Sequence, residues 1–543
     1  MRVIDSRRVT GPNIAARTPG VVVEVALDGA DPNVVIAAWR AAIARVWPWP
    51  AEPHVRHSTN SLALFVPGPV DALLPLTDLN EHAVACAEAV LAGAPLPPLD
   101  PAVLAAVTAA HVPGLAELIA AARAHDALLL VDEVAITLGT GRSLRTFPRM
   151  GPVPAPDAID WAAIAASRFP IAMITGTNGK TTTARLVARI ARTAGRTPGL
   201  TSSDGLVVGD HVLERGDFSG PEGARTVLRH PEVDLAVLET ARGGILRRGL
   251  TVEHCDAAVI TNVSADHLGD YGVDDVATMA RVKAVVAGAA RRVVLNAEDA
   301  QLVALAPGLG AEVTWFGGDG RRGEHAWFVR DGQIMARDAR GERTLLAIAD
   351  VPIAFGGRAP YNVANALAAA ALAHALELPD AAIVTGLRDF TSSATDNPGR
   401  GNLALVNGVQ VLLDFGHNAA AVTGVIGLAQ GLAAGGALRV TIGMPGDRND
   451  AELAEVARAI AHGAPAEVIV RELGDTFLRG RAPGATSAVL AAELAGAGVT
   501  VSHATDELTA VARALAASRP GDLVLVLVHL DPAVDAYLAS TSR

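Results

Sequence analysis

The segment from Ile174 to Thr183 constrains this chain most, because it joins an apolar strand to a helix through a glycine-rich turn. Gly176 and Gly179 let backbone N–H groups curl around an anion, and the helix N-terminus adds positive potential. In such loops a lysine reaches the outer phosphates and a threonine hydroxyl binds Mg²⁺, which assigns those roles to Lys180 and Thr181. The segment therefore predicts a nucleotide-phosphate site made of Gly176, Thr177, Asn178, Gly179, Lys180, Thr181 and Thr182.

The phosphate loop departs from the usual spacing of such loops. The position five residues before the second glycine is normally glycine, and here it is Ile174. The Gly176-x-x-Gly179-Lys180-Thr181 form is a variant, and a variant loop indicates particular families.

Composition limits the class of protein. A chain of 543 residues is too long for one core and predicts about three domains. The formal charge of −12, without a long basic run, argues against a nucleic-acid partner. Cys86 and Cys255 have neither metal-type spacing nor a disulfide framework, so we expect buried, reduced thiols. With no signal-peptide core and no membrane-length apolar run, we expect a cytoplasmic protein without a membrane partner.

Proline- and glycine-rich passages divide the chain. We expect a small α+β domain over 1–160, with β-like runs at Gly20 to Leu27 and Ser61 to Val66 and a helix at Val34 to Val46. Short apolar strands then alternate with helices, which indicates a mainly parallel sheet over 161–400 and a Rossmann-like domain over 401–543. The predicted strands are Leu235 to Leu238, Ala257 to Ile260, Val293 to Leu295, Val409 to Leu413, Arg439 to Ile442, Val468 to Val470, Val499 to Val501 and Leu523 to Val528.

Polar clusters follow the phosphate loop along the chain. Glu239 ends one predicted strand, and Asn262 with Asp266-His267 follows the next. A carboxylate at a strand end beside a phosphate loop is well placed to hold Mg²⁺. Lys283 lies on a predicted helix, where a lone lysine is ordinarily a solvated side chain. The clusters follow a phosphate loop in this order, and together they indicate a functional site more specifically than any one of them does alone.

The region from Ile171 to about Asp531 resembles the Mur ligase superfamily of ATP-dependent amide-bond ligases. The motifs that carry the resemblance are Gly176–Thr183, Glu239, Asn262 with Asp266-His267, Lys283, Tyr361–Ala369, Pro398-Gly399-Arg400 and Asp414–Asn418. Within that superfamily the chain looks most like the Mur-like half of cyanophycin synthetases. The distinctive matches are Asp204-Gly205, Gly216–Pro221, Glu239–Arg247, Pro445–Arg448 and, near the N-terminus, Arg8–Asn13.

One departure from cyanophycin synthetases bears on function. Those enzymes carry an ATP-grasp domain between their N-terminal and Mur-like parts, and this chain has no room for it. Leu138–Arg145 resembles a remnant of that domain's end. The resemblance therefore implies one amide-forming activity rather than a polymerase with two.

The resemblance implies a mechanism and a set of roles. A substrate carboxylate attacks the γ-phosphate of ATP, and an amino-acid amine then displaces phosphate from the acyl phosphate. Thr181, Glu239 and His267 would hold two Mg²⁺ ions, and Lys283 matches a lysine that is carbamylated in many Mur ligases. Lys180, Lys283, His267 and Arg400 are the implied catalytic residues, and Asn362, Asn365, Arg400 and Asp414 the implied nucleotide contacts outside the loop.

Substrate contacts stay open at this point. Arg242 could hold a substrate carboxylate in a bidentate fashion or be a surface charge. His417 and Asn418 match the side that receives the incoming amino acid. The resemblance also implies amino-acid or peptide substrates and a homo-oligomer, either a dimer or a tetramer.

Three other functions compete with a ligase that joins one amino acid to a carboxylate. One is a Mur-like ligase that acts on a larger peptide acceptor, such as a polyglutamyl or cell-wall peptide. Another is a catalytically idle nucleotide-binding partner subunit, which the intact Lys180, Thr181, Glu239, His267 and Lys283 argue against. A non-ligase ATPase would not need Asn362, Arg400 and Asp414 in the same chain. We therefore expect an ATP-dependent ligase.

Overall fold

The computed structural model of the protein describes residues 1–529 and 531–541. These residues form two compact units. The first holds 1–327 and 368–383, and the second holds 328–367 together with the chain from 384 onward.

A four-stranded antiparallel sheet begins the first unit, in the order β1-β2-β4-β3. Its inward-facing residues, such as Val21, Val23 and Val25, alternate along the strand and pack in one core with α1 and α2. The buried Trp39 of α1 donates from Nε1 to Asn80 Oδ1 of α2 at 2.8 Å, which ties the two helices together. The elements are β1 (Arg2–Val9), β2 (Gly20–Ala26), α1 (Pro32–Val46), β3 (His54–His57), β4 (Ser61–Pro67) and α2 (Leu73–Ala92).

Two helices and a small antiparallel sheet follow, with the strand order β5-β6-β7. The predicted proline-rich separators are irregular backbone: residues 95–100 join α2 to the next helix, and residues 151–155 follow the small sheet. The elements are α3 (Pro101–Ala110), α4 (Leu115–Ala124), β5 (Leu129–Val131), β6 (Ala135–Leu138), β7 (Arg145–Pro148) and the short α5 (Trp161–Ala166).

The central sheet of the first unit has the order β11-β10-β9-β12-β8-β13-β14-β15 and ends with the first two residues of β16. All pairs from β9 to β16 in this order are parallel, while β10 and β11 add an antiparallel edge. The strands are β8 (Ile171–Thr175), β9 (Pro198–Ser202), β10 (Gly205–Val208), β11 (His211–Arg215), β12 (Leu235–Glu239), β13 (Cys255–Ile260), β14 (Ala290–Asn296), β15 (Glu312–Phe316) and β16 (Ala326–Arg330). The helices between them are α6 (Lys180–Thr193), α7 (Pro221–Arg229), α8 (Arg242–Arg248), α9 (Val276–Ala289) and α10 (Ala300–Leu305).

The second unit contains the hairpin β17 (Gln333–Asp338) and β18 (Gly341–Ala347) and a six-stranded sheet of order β19-β20-β24-β21-β22-β23. Only β19 runs antiparallel to its neighbour. The strands are β19 (Arg400–Val406), β20 (Val409–Asp414), β21 (Leu438–Ile442), β22 (Glu467–Arg471), β23 (Val501–Ala504) and β24 (Leu523–Leu527). The helices are α13 (Ala419–Ala433), α14 (Asp450–His462), α15 (Ala485–Gly496), α16 (Glu507–Ala516) and α17 (Pro532–Thr541); α11 (Pro360–Ala375) and α12 (Asp380–Asp389) each contribute residues to both units.

The predicted α/β class is confirmed, with a mainly parallel sheet behind the phosphate loop and a Rossmann-like sheet near the C-terminus. The strand predicted at Val499 to Val501 instead begins at Val501, because the backbone of 497–500 connects α15 to it. Both cysteines are free and buried, as expected. Among the described residues no single helix has the length and apolarity to cross a bilayer, although α3 and α4, bent by 46° relative to each other, meet those criteria as a pair.

Candidate functional site

The phosphate loop follows β8 and packs tightly against β13. Gly176 has φ +153°, and a Cβ atom there would lie 1.8 Å from Thr261 Oγ1, so a larger residue would displace the Thr261 side chain. Gly179, with φ +83°, caps the N-terminus of α6. Lys180 is the first residue of α6, and its Nζ donates to the carbonyl of Thr177 at 2.9 Å.

Residues after β13 hold the loop in this shape. Thr177 N donates to the Asn262 carbonyl at 2.9 Å, and Asn178 N donates to Asn262 Oδ1 at 2.9 Å. Asn262 Nδ2 and Thr261 Oγ1 both donate to the Asn178 carbonyl, at 3.0 and 2.6 Å. The side chain of Asn262 therefore shapes the phosphate loop.

Thr181 and Glu239, two of the three predicted metal ligands, approach each other through Ser203. Thr181 Oγ1 lies 3.1 Å from Ser203 Oγ, and Ser203 N donates to Glu239 Oε2 at 3.3 Å. Glu239 ends β12, in register with Ile174 of β8, and is buried. A hydroxyl and a carboxylate are oxygen ligands, so the donor set fits Mg²⁺, which usually takes few protein ligands and completes its shell with phosphate and water.

His267, the third predicted metal ligand, lies in the loop after β13 with φ +53°. Its carbonyl accepts from Arg242 Nη1 at 3.0 Å, and its Nδ1 lies 3.7 Å from Asp270 Oδ2. Arg242 Nη2 also donates to Asp270 at 2.9 Å, so this arginine fastens the His267 loop. Within 1–529 and 531–541, no three His, Cys, Asp or Glu side chains cluster as a metal site.

Lys283 is buried in α9 beside the same loops. Burial lowers the pKa of its amine well below the ordinary value, and the nearby charge of Lys180 lowers it further. Asp266 and Asp299 act in the opposite direction without cancelling the effect. Asp299 also accepts from Val263 N at 2.6 Å and caps α10. Sequence reasoning missed Asp299, although it follows a predicted strand as Glu239 does.

The N-terminal sheet contacts the loop between His267 and Lys283. Arg56 of β3 donates to the carbonyls of Tyr271 and Gly272, the first at 2.5 Å. Thr59 donates from N and from Oγ1 to Asp274 Oδ2, both at 2.7 Å. The next residue, Asp275, caps the helix that carries Lys283. No sequence signal pointed to Arg56, because its partners are backbone carbonyls distant in the chain.

Asn362 and Asn365 lie on α11 within the second unit, and both are buried. Asn362 Nδ2 donates to the Ile353 carbonyl at 3.0 Å, and Asn365 Nδ2 donates to Asn362 Oδ1 at 3.1 Å. The structure brings this predicted pair together, while their contact with adenine stays a prediction.

Arg400 and Asp414 are paired in register on β19 and β20. Burial raises the pKa of Asp414 to about 6, although the Gly416 N–H bond and the charge of Arg400 favour its ionised form. Arg400 itself donates to the Pro398 carbonyl at 3.0 Å and lies over the Phe415 ring at 5.8 Å. The pair therefore lies at one end of the sheet, while its contact with the nucleotide stays a prediction.

His417 and Asn418 follow the same strand. Asn418 is the N-cap of α13, where its Oδ1 accepts from Ala421 N at 3.0 Å. His417 Nδ1 lies 3.1 Å from the Phe415 carbonyl. The cap gives Asn418 a structural role, and substrate contact by either residue stays a prediction.

Two protein-family models match the segments of the chain that contain this site. Residues 174–373 match the Mur ligase middle domain, and residues 399–527 match the Mur ligase, glutamate ligase domain. These two segments contain the phosphate loop, Glu239, Lys283, Arg400 and Asp414.

Individual proteins agree with the family match. Cyanophycin synthetase of Synechocystis sp. is 39% identical over 59% of this chain, which covers 38% of that protein. The chain thus spans well under half of the cyanophycin synthetases it matches. UDP-N-acetylmuramoylalanine–D-glutamate ligase of Ralstonia nicotianae is 30% identical over 65% of this chain and 68% of its own length. Among solved structures, E. coli FolC in complex with ADP shares the fold, with a TM-score of 0.53 and 21% identity over 68% of this chain and 90% of its own. The chain belongs to the Mur ligase family.

Proposed function

We propose that the protein is a ligase that uses ATP and Mg²⁺ to join an amino acid or peptide amine to a carboxylate substrate at a single active site. The observation that carries this proposal is the grouping of the phosphate loop, the Thr181–Ser203–Glu239 contacts and the buried Lys283 within the first unit. The cyanophycin synthetases and Mur ligases that resemble this chain support it by name.

The reaction has two balanced steps. A carboxylate oxygen of the acceptor attacks the γ-phosphorus, and the bond to the β,γ-bridging oxygen breaks to release ADP. The neutral amine of the second substrate then attacks the acyl carbon, phosphate leaves with the bonding pair, and the amine loses a proton. Lys180 would stabilise the charge on the transferring phosphoryl group, and Thr181, Glu239 and His267 would hold Mg²⁺, which neutralises the same charge.

We also propose that Lys283 is carbamylated. A lowered pKa keeps a larger fraction of the amine neutral, and only the neutral amine adds to CO₂, forming an N–C bond and releasing a proton. The product is an anion, which would replace the repulsion between the two lysines by an attraction to Lys180. Carbon-13 NMR of protein equilibrated with ¹³CO₂ should show one carbamate signal that is absent from Lys283→Met.

The function is tested by ADP release with ATP, Mg²⁺ and pairwise mixtures of amino acids, with Lys180→Ala as the control. We expect release that needs one pair and disappears in the variant. If the wild type binds ATP but releases no ADP with any pair, a panel of peptide acceptors follows. Failure of that panel as well would replace the ligase with a nucleotide-binding partner subunit.

A further inference from the structure

A cavity of about 450 Å³ lies in the first unit, away from the predicted catalytic residues. It is bounded by the end of β4 and the residues that follow it (67–70), by 127–131 at β5, by α4, and by Arg225 and Thr251. None of its described lining residues belongs to the phosphate loop, and Glu239, His267 and Lys283 do not line it either. The volume is in the range of ~300–1,000 Å³ that is typical of small-molecule sites.

The walls of this cavity are mostly apolar. Val70, Ile119, Leu130 and Phe169 contribute aliphatic and aromatic surface, and Trp49 adds a second ring. Such a surface binds an apolar body by releasing water from both partners.

Most charges that line the cavity are paired with each other. Arg123 donates to the carboxylate of Glu253 through two bonds, at 2.7 and 2.5 Å. Arg168 lies 3.4 Å from Asp126 and donates to Asp256 at 2.8 Å. These pairs neutralise the charges at the rim.

Arg225 of α7 is the exception. It is half-buried and forms no ion pair with any residue in 1–529 or 531–541; its one side-chain hydrogen bond there goes to Thr10 Oγ1, at a long 3.3 Å. Loss of water on burial lowers the pKa of its guanidinium. A guanidinium has five N–H donors, so most of its hydrogen-bonding capacity in this cavity is unused.

The net charge of the lining residues limits the kind of ligand that the cavity can bind. Three arginines and two carboxylates line the cavity, which leaves one positive charge. A single guanidinium matches a carboxylate in a two-bond geometry. A phosphate carries about two charges, and we expect it to require more donors than one arginine supplies.

We propose that this cavity binds a small monocarboxylate with an apolar body, whose carboxylate pairs with Arg225 while its body contacts the walls near Leu130 and Phe169. The site is separate from the ligase chemistry and does not depend on the proposed function. Its natural occupant is a free carboxylic acid or the C-terminal residue of a peptide, two sources of the same chemistry.

Calorimetry of the full chain without nucleotide tests the proposal, with phenylbutyrate as the probe and phenylbutanol as its uncharged analogue. We expect one saturable phenylbutyrate site and at least tenfold weaker binding of phenylbutanol. Arg225→Gln should weaken phenylbutyrate binding about tenfold or more, as expected for loss of a charged hydrogen-bonded pair. Arg196→Gln is the matched control, because Arg196 is an exposed arginine that does not line the cavity.

A second pair of variants locates the site. Ala116 is exposed on α4 and lines the cavity, whereas Ala120, one turn along, is exposed and does not. Ala116→Trp should abolish phenylbutyrate binding, and Ala120→Trp should retain it. Unchanged ATP binding and circular dichroism show that each variant is folded.

Several results would overturn the proposal: no saturable binding to the wild type, equal binding of acid and alcohol, or full binding in Arg225→Gln or Ala116→Trp. A series of N-acetylated peptides with apolar C-terminal residues distinguishes the two sources. Peptides that compete with phenylbutyrate identify a C-terminus, and competition by the free acids alone identifies a metabolite.

Discussion

Two buried titratable side chains, one in each compact unit, differ in the sign of their charge and in their response to burial. Lys283 in α9 of the first unit has a lowered pKa, because burial and the charge of Lys180 disfavour its ammonium form. Asp414 at the end of β20 in the second unit has its pKa raised to about 6, because burial disfavours its carboxylate. In both cases burial in the folded protein disfavours the charged form of the group.

The two pKa shifts indicate which kind of ligand would stabilise the charged form of each group. An anion beside Lys283, such as a phosphate group, would favour its ammonium form, as Asp266 and Asp299 already do in part. Asp414 is a buried acid, and a hydrogen-bond donor or a cation would restore its ionised form. Strongly perturbed groups of this kind concentrate at functional sites.

Lys283→Met gives the largest expected effect. We expect a loss of ADP release of about a hundredfold to a thousandfold, because the variant lacks the group that would form the carbamate beside the phosphate loop. The apolar side chain should also raise Tm at pH 7, because it removes a buried amine. A lysine with a lowered folded-state pKa costs stability below its unfolded pKa, so the Tm difference should shrink by pH 9.5. Thermal unfolding in CO₂-free buffer checks this, and a difference that grows with pH would contradict it.

Gly176→Ala tests how tightly the phosphate loop is packed, with Gly416 beside Asp414 as the reference. A Cβ at Gly176 would lie 1.8 Å from Thr261 Oγ1, whereas at Gly416 beside Asp414 the nearest atom would be 3.3 Å away. We therefore expect Gly176→Ala to lower Tm and weaken ATP binding by about a hundredfold, equivalent to about 3 kcal/mol. Gly416→Ala should change Tm by only a degree or two. Equal effects of the two substitutions would show that the phosphate loop is not the more tightly packed turn.

Sequence patterns gave the phosphate loop, Glu239 and most strands, because each depends on local chemistry at the end of an apolar run. Ser203 was missed, since a serine after a strand carries little signal until Thr181 and Glu239 are seen on either side of it. The cavity at Arg225 was also missed. Its walls come from segments distant in the chain, and only the fold shows that Arg225, unlike Arg123 and Arg168, forms no ion pair with a described residue.

Asp414→Asn tests the buried acid of the second unit. Asparagine keeps an oxygen for the Gly416 N–H and removes a buried charge, so the variant should be more stable at pH 7.5. The rise of the pKa from 3.8 to about 6 corresponds to at most about 3 kcal/mol of unfolding free energy. An acid with a raised folded-state pKa contributes stability below its unfolded pKa and loses it as pH rises through about 6. The stability advantage of the variant should therefore be smaller at pH 5.0, and a larger advantage there would be inconsistent with a buried acid.

The smallest expected effect concerns Arg56 of the N-terminal sheet, which contacts the loop between His267 and the helix of Lys283. Arg56→Ala removes two hydrogen bonds to carbonyls of that loop, which allows the loop to move and weakens the Mg²⁺ site. We expect the Mg²⁺ concentration for half-maximal ADP release to rise about tenfold, while the rate at saturating Mg²⁺ stays near that of the wild type. A loss of folded protein would instead lower the rate at every Mg²⁺ concentration. Arg56→Lys should restore part of the affinity, and His57→Ala, at an exposed position of the same strand, should leave it unchanged. If the Mg²⁺ curve of Arg56→Ala superimposes on that of the wild type, the N-terminal sheet does not position the loop.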